Sequence, residues 1–173
     1  MTDKNLQIVL ASRPAAWVEE NNFRLVESEI PEPKEGELLV RNHYLSLDPY
    51  MRGAMNDAKS YRKPVAIGEV MVGGTAGEVV KSNNPNFKPG DKVGGFFGWQ
   101  LYGVSDGSML QKVDASRVPL SAYLGVLGMP GVTAWYGLLD ICAPKPGETV
   151  VVTAASGAVG SVVGQLAKIH GCR

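Results

Sequence analysis

The chain has 173 residues, 45% of them apolar, with 17 Lys and Arg against 17 Asp and Glu, and with 21 Gly and 11 Pro. A formal net charge of zero argues against a basic nucleic-acid binder or a polybasic membrane-surface protein. The apolar content excludes an intrinsically disordered chain, and the scattered glycines and prolines exclude collagen-like and low-complexity readings. Cys142 and Cys172 are the only cysteines, and His43 and His170 the only histidines. Their wide separation makes no zinc-binding spacing, so no metal site is expected. The first residues are polar, and no stretch approaches the roughly 20 apolar residues of a membrane helix. The expectation is a soluble cytoplasmic protein with neither a nucleic-acid nor a membrane partner.

From the start to about residue 120 the signals are strands and turns. Short β-type runs lie at residues 6–10, 23–27 and 38–45, the second stopped by Pro31 and Pro33, which cannot donate to a ladder. Further runs lie at 70–72, 77–80 and 92–97. Pro89 and Gly90 suit a tight turn, since proline presets φ at one central position and glycine tolerates positive φ at the next. Many short strands at this spacing predict a partly closed β-barrel or a sandwich.

Past residue 121 the texture changes. Val132, Trp135, Tyr136, Leu138, Leu139 and Cys142 recur at offsets of three and four, which predicts a helix over 131–142 with that face buried. Residues 149–154 (Thr-Val-Val-Val-Thr-Ala) form a β-branched run of the kind found in strands buried on both faces. Beyond a glycine turn, Val159, Val162, Val163, Leu166 and Ile169 line one helical face, with Gly171 as the stop.

That strand, turn and helix carry the strongest chemistry in the chain. Ala155-x-Gly157-x-x-Gly160 is a dinucleotide-binding fingerprint with alanine in its first position. Such a turn sets the free N–H groups and positive dipole end of a helix against a pyrophosphate. Gly157 lets the backbone approach the ligand, and Gly160 lets the helix pack close to the strand. A bare glycine pattern is weak evidence; its place between a strand and an amphipathic helix strengthens it. A dinucleotide fold also needs a second strand and, about 20 residues on, a group that reads the ribose. Arg173 stands where that strand would begin, so the chain is expected to be the first half of a longer protein.

Five segments together resemble one family. They are Tyr44-Leu45-Ser46-Leu47-Asp48-Pro49-Tyr50-Met51-Arg52-Gly53, Val70-Met71-Val72-Gly73-Gly74-Thr75 and Leu127-Gly128-Met129-Pro130-Gly131-Val132-Thr133-Ala134. Pro146 to Val152 and Ser156 to Gln165 complete the set. In this order they are similar to the zinc-independent branch of the medium-chain dehydrogenase/reductases, in the group of leukotriene dehydrogenases, prostaglandin reductases and bacterial curcumin reductases. The resemblance implies a mixed β and α/β chain: a GroES-like, partly closed β-barrel domain over 1–123, then the first strand, turn and helix of a Rossmann domain over 124–173, truncated.

The same resemblance implies an NADPH-dependent, metal-free reductase of the C=C bond of α,β-unsaturated ketones and aldehydes. Its partner would be a small-molecule enone or alkenal, and the whole enzyme would be a homodimer. Gly157, Ala158, Val159 and Gly160 match the pyrophosphate loop, and Met129 and Thr133 match positions beside the nicotinamide. Tyr50 matches a place from which a phenol can reach the catalytic cleft, or pack as a buried tyrosine. Tyr61, in a polar segment, suits a loop over the substrate. Arg52 either pairs structurally or binds phosphate, and Trp135 stands where many relatives carry Tyr or Phe. A second class stays open, since the same fold also serves as a non-catalytic structural or interaction protein.

Overall fold

The computed structural model describes residues 4–60 and 62–173, so Tyr61 lies outside the described residues. The chain divides into two compact units, one ending at Leu120 and the other running from Ser121 to Arg173.

Among the described residues the first unit is built from seven strands. β1 (Asn5–Leu10) pairs antiparallel with β2 (Phe23–Ser28). The remaining strands are β3 (Leu38–Leu45), β4 (Thr75–Ser82), β5 (Lys92–Gly95), β6 (Tyr102–Ser105) and β7 (Gln111–Lys112). They form one antiparallel sheet in the order β6-β3-β4-β5-β7. Backbone bonds lace the two sheets together: Ile8 N–H donates to Trp99 C=O at 2.8 Å, and Leu101 N–H donates to Leu6 C=O at 3.0 Å. Among the described residues no pairing joins β2 to β7, so the two sheets do not close into a complete barrel.

Two apolar clusters hold this wall. Leu38, Val40, Val79 and Val93 pack with Phe87, Phe97 and Leu110 across the central strands. Leu10, Met51, Ala54, Met55, Val65 and Met71 pack with Phe23, Tyr50, Val72 and Trp99 under helix α1 (Tyr50–Ala54). Each fully buried aliphatic side chain contributes about 1.5–3 kcal/mol relative to exposure. Gly73, from the Val70-Met71-Val72-Gly73-Gly74 motif, sits where a Cβ would lie 2.7 Å from Leu45 Cδ1 and 3.1 Å from Met51 Cε. Two of the family-like segments therefore meet there, and a Cβ on residue 73 would have to displace the ends of the Leu45 and Met51 side chains.

The turn before β5 forms as its residues dictate. Asp91 N–H donates to Lys88 C=O at 3.1 Å and Gly90 has φ +95°. The Asp91 carboxylate accepts the Lys88 N–H at 3.0 Å and pairs with Lys112 Nζ at 2.7 Å. The Lys112 bond, with the backbone donor beside it, holds the Asp91 carboxyl below the usual carboxylate range. On β4, Glu78 is likewise lowered, chiefly by its hydrogen bond from Lys92 at 2.5 Å.

Residues 70–72 do not form the expected strand. Only Val70 makes an isolated bridge, to Val9. The segment threads between two others instead: Met71 N–H donates to Ile8 C=O, while Met71 C=O accepts from Trp99 N–H. The sequence pattern does not mark β6, because Gly103 interrupts its β-type run. A Cβ at Gly103 would lie 2.3 Å from Phe97 Cδ1, so the residue that weakens the strand signal is the one the packing requires.

The second unit holds α2 (Met129–Trp135), a π-helical stretch at Tyr136–Cys142, and α3 (Gly160–Ile169). The face expected to be buried over 131–142 is buried only at Leu138 and half-buried at Leu139. Pro130, Gly131, Ala134 and Leu138 are buried, while Val132, Trp135, Tyr136 and Cys142 are exposed. The cause is twofold. The packed side is made of small residues that permit close approach, with a Cβ at Gly131 falling 1.8 Å from Val126 C=O. The π stretch also bonds i to i+5, which shifts the facing positions out of the 3.6-residue period.

On α3, Val162, Val163 and Leu166 are half-buried as the periodicity predicts, but Ile169 is exposed. The helix ends as expected at Gly171, whose φ is +75°. Cys172 N–H donates to Ala167 C=O and Gly171 N–H to Lys168 C=O, a Schellman closure that satisfies two terminal carbonyls.

Residues 149–154 form no ladder, and Val151 is 86% exposed rather than buried on both faces. Burial of a parallel strand needs partners along its edges. One parallel rung is present: Arg173 N–H donates to Glu148 C=O at 2.8 Å, and Val150 N–H donates to Arg173 C=O at 2.7 Å.

Candidate functional site

The glycine turn belongs to the second unit. Ala154 opens it at φ +48°, a left-handed conformation that costs an alanine about 1–2 kcal/mol. Gly157 N–H closes back on Ala154 C=O at 2.9 Å. Gly160, the first residue of α3, packs so tightly on the turn that a Cβ would lie 2.4 Å from Ala154 C=O. A Cβ at Gly157 would lie 3.1 Å from the same oxygen, with its other sides open.

The amides of Ala158, Val159 and Gly160 donate to no acceptor among the described residues. Residues 155–159 are exposed. Three free N–H groups at the start of a ten-residue helix, beside a glycine that leaves room for another molecule's backbone-scale approach, suit an anionic ligand. The donor set therefore fits a pyrophosphate. Met129 and Thr133 lie one helical turn apart on α2, and both are exposed. Placed at i and i+4, they share one face, presenting a thioether and a hydroxyl to the same space.

Tyr50 belongs to the first unit. It opens α1 behind Pro49, whose φ of −56° suits a helix start. The preceding turn is tied by Ser46 Oγ donating to Asp48 Oδ1 at 3.0 Å and Met51 N–H donating to Asp48 C=O at 3.0 Å. The Tyr50 ring is half-buried against the cluster of Leu10, Met51 and Met71. Arg52, weighed between pairing and phosphate binding, is engaged structurally. Its Nη1 donates to Asn56 Oδ1 at 2.6 Å and its Nη2 to Ala16 C=O at 2.8 Å.

Sequence reasoning passed over Arg62 and Phe96. The Arg62 guanidinium lies 5.2 Å from the Tyr50 ring centroid and 5.7 Å from that of Phe96. Arg62 and Phe96 border a cleft of about 360 Å³ whose other walls are Phe97, Val104, Ser105, Met109 and Leu110. Nothing in the polar segment around Arg62 distinguishes it from its neighbours Lys59 and Lys63. Its place against two rings shows only once α1 and the loop after β5 are brought beside it.

Residues 6–113 match the family model described as the N-terminal domain of oxidoreductase. The chain belongs to the medium-chain dehydrogenase/reductase family, in the group of the curcumin and prostaglandin reductases.

Within that group it is 55% identical over 170 residues to the NADPH-dependent curcumin reductase of Escherichia coli, covering 98% of this chain and 49% of that protein. It is 46% identical over 157 residues to prostaglandin reductase 1 of Rattus norvegicus, covering 89% of this chain and 46% of that protein. The crystal structure of CurA from Vibrio vulnificus in complex with NADPH superposes with a TM-score of 0.89 at 55% identity, covering 97% of this chain and 50% of that one. The chain spans about half the length of the curated relatives it matches.

Proposed function

We propose that the whole protein is an NADPH-dependent reductase that saturates the C=C bond of α,β-unsaturated ketones and aldehydes without a metal. The observation that carries this reading is the 55% identity to an NADPH-dependent curcumin reductase along 98% of the chain. The geometry of the glycine turn supports it.

In this reading the free amides of Ala158, Val159 and Gly160 hold the pyrophosphate, and Gly157 leaves the space it needs. Met129 and Thr133 border the nicotinamide. When bound, NADPH supplies a hydride to the β-carbon of the enone. The carbonyl oxygen of the substrate gains negative charge as the β-carbon is reduced, and the Tyr50 phenol donates a hydrogen bond to it. Protonation at the α-carbon then leaves the saturated carbonyl compound. An oxyanion donor of this kind is worth about 3 kcal/mol, or roughly a hundredfold in rate. It takes the part that a Lewis-acidic ion plays in zinc enzymes. Tyr61 remains the candidate for a residue over the substrate.

The test is enone-dependent oxidation of NADPH by the whole purified protein, followed by its absorbance, with elemental analysis of the same sample. Turnover with no stoichiometric metal is the expected result. The absence of turnover across short- and long-chain enones, or a full equivalent of bound zinc, contradicts the reading.

A further inference from the structure

We infer that Arg13 and Arg52 are positioning residues for Tyr50: their guanidinium groups clamp α1 to the loop between β1 and β2, and so fix where the phenol stands. The inference rests on the reading above that Tyr50 donates to the substrate oxygen, and it adds the residues through which the fold aims that donor.

Tyr50 is the first residue of a helix only five residues long. A single turn costs more backbone freedom than its few bonds return, so such a helix takes its place from its surroundings. One side is packed, with Met51, Ala54 and Met55 buried against Leu10, Val65 and Met71. Apolar burial is non-directional, and methionine adapts to the space it is given. Packing therefore keeps α1 on the wall but does not by itself set its rotation.

Direction comes from hydrogen bonds that run both ways between helix and loop. Arg13 Nη1, from the loop, donates to the C=O of Met55, the C-cap of α1, at 2.7 Å. Arg52 Nη2, from the helix, donates to Ala16 C=O in the loop at 2.8 Å, while its Nη1 donates to Asn56 Oδ1 at 2.6 Å. Val65 N–H adds a bond to Ala54 C=O at 2.9 Å. Both clamp bonds between helix and loop are charge-assisted and end on backbone carbonyls, so they hold main chain and not merely a rotamer.

The loop is itself anchored. Asn22 is buried; its Nδ2 donates to Ser12 Oγ at 2.9 Å, its Oδ1 accepts Glu19 N–H at 2.8 Å, and its C=O accepts Ala11 N–H at 2.7 Å. The clamp thus ties α1 to the start of β2. Arg52 leaves the helix about 200° around from Tyr50, two residues at 3.6 per turn. It can hold the helix without occupying the side from which the phenol projects.

The test is a double-mutant cycle on the whole protein with NADPH and a medium-chain 2-alkenal. Arg13→Met and Arg52→Met keep the length of the stem and remove the donors. Each should lower kcat by about tenfold, as a small misplacement of a reacting group does, with KM for NADPH unchanged. Arg13→Lys and Arg52→Lys, which keep a donor, should recover part of the loss. Combined with Tyr50→Phe, each arginine variant should change kcat by less than about twofold, because the group it positions is gone. Losses that multiply in the double variants overturn the inference, as do single variants with wild-type kcat or a loss that lies in NADPH affinity. Should a methionine variant not fold, the lysine variants run the same cycle: a partial loss that vanishes beside Tyr50→Phe supports the inference, and one that persists overturns it. A loss below about threefold in Tyr50→Phe alone, or no turnover by the wild type, shows instead that the reading of Tyr50 or of the reaction has failed, and overturns the inference with it.

Discussion

The Ala154 carbonyl and the Gly160 Cα approach so closely that a Cβ on residue 160 would sit 2.4 Å from the oxygen. The contact is backbone against a helix start, so no side-chain rotation can relieve it. Ala154 is itself held at φ +48°, which aims its carbonyl into the turn that Gly157 N–H then closes. Gly160→Ala should therefore destabilise the second unit by about 1–3 kcal/mol, the usual cost of forcing a methyl group into a packed site. Gly164→Ala on the same helix is the control, since nothing lies within 4 Å of a Cβ there. Denaturant unfolding of both variants would show the first shifted and the second unchanged or slightly more stable.

The Asp91–Lys112 pair gives a dependence on pH whose sign follows from its geometry. Asp91 is lowered below the ordinary carboxylate range by the Lys112 and Lys88 donors. Its stabilisation is present in full above the unfolded-state value near pH 4 and is lost as pH falls through the lower folded-state value. Lys112 is half exposed, which limits the pair to under about 1 kcal/mol. Asp91→Asn should flatten part of the acid limb of a stability profile below pH 4, while leaving the slope above pH 5 unaltered. A variant profile parallel to wild type down to the acid end would remove this role from Asp91.

Gly157 and Tyr50 should fail in different ways. A valine at residue 157 fills the space that the pyrophosphate needs and also presses on Ala154 C=O, 3.1 Å from the new Cβ. Gly157→Val should weaken NADPH binding in the whole protein, with a smaller effect on stability than Gly160→Ala. Tyr50→Phe leaves the turn untouched. It should lower kcat and kcat/KM together by about a hundredfold, with NADPH affinity nearly unchanged. A loss below about threefold would assign Tyr50 to packing against Met51 and Met71.

How far the sequence could be read depended on how local the physics was. β3 at Leu38–Leu45 matches its sequence bounds, because its apolar run and the flanking turn residues are local signals. The Gly90 turn and the Gly171 helix stop were legible for the same reason, each resting on one residue's freedom to take positive φ. Residues 70–72 misled because a β-branched pattern says nothing of which carbonyl will be taken. There, Met71 is shared between Ile8 and Trp99. The helix face departs from the periodic reading at Val132 already, because the packed side of α2 is Pro130, Gly131 and Ala134, and from Tyr136 π geometry breaks the period as well. The glycine turn was visible as a motif, since its spacing is its chemistry. Arg62 was not, because its meaning lies in the two rings that stand around it and not in its neighbours along the chain.

Deuterium placement tests the central claim most directly. The whole protein is supplied with NADPH carrying deuterium at the transferable position and with an enone, and the product is read by mass spectrometry and NMR. The reductase account predicts one deuterium on the β-carbon, a solvent proton on the α-carbon and an intact carbonyl group. Deuterium on the carbonyl carbon, giving an allylic alcohol with its C=C bond retained, would contradict it.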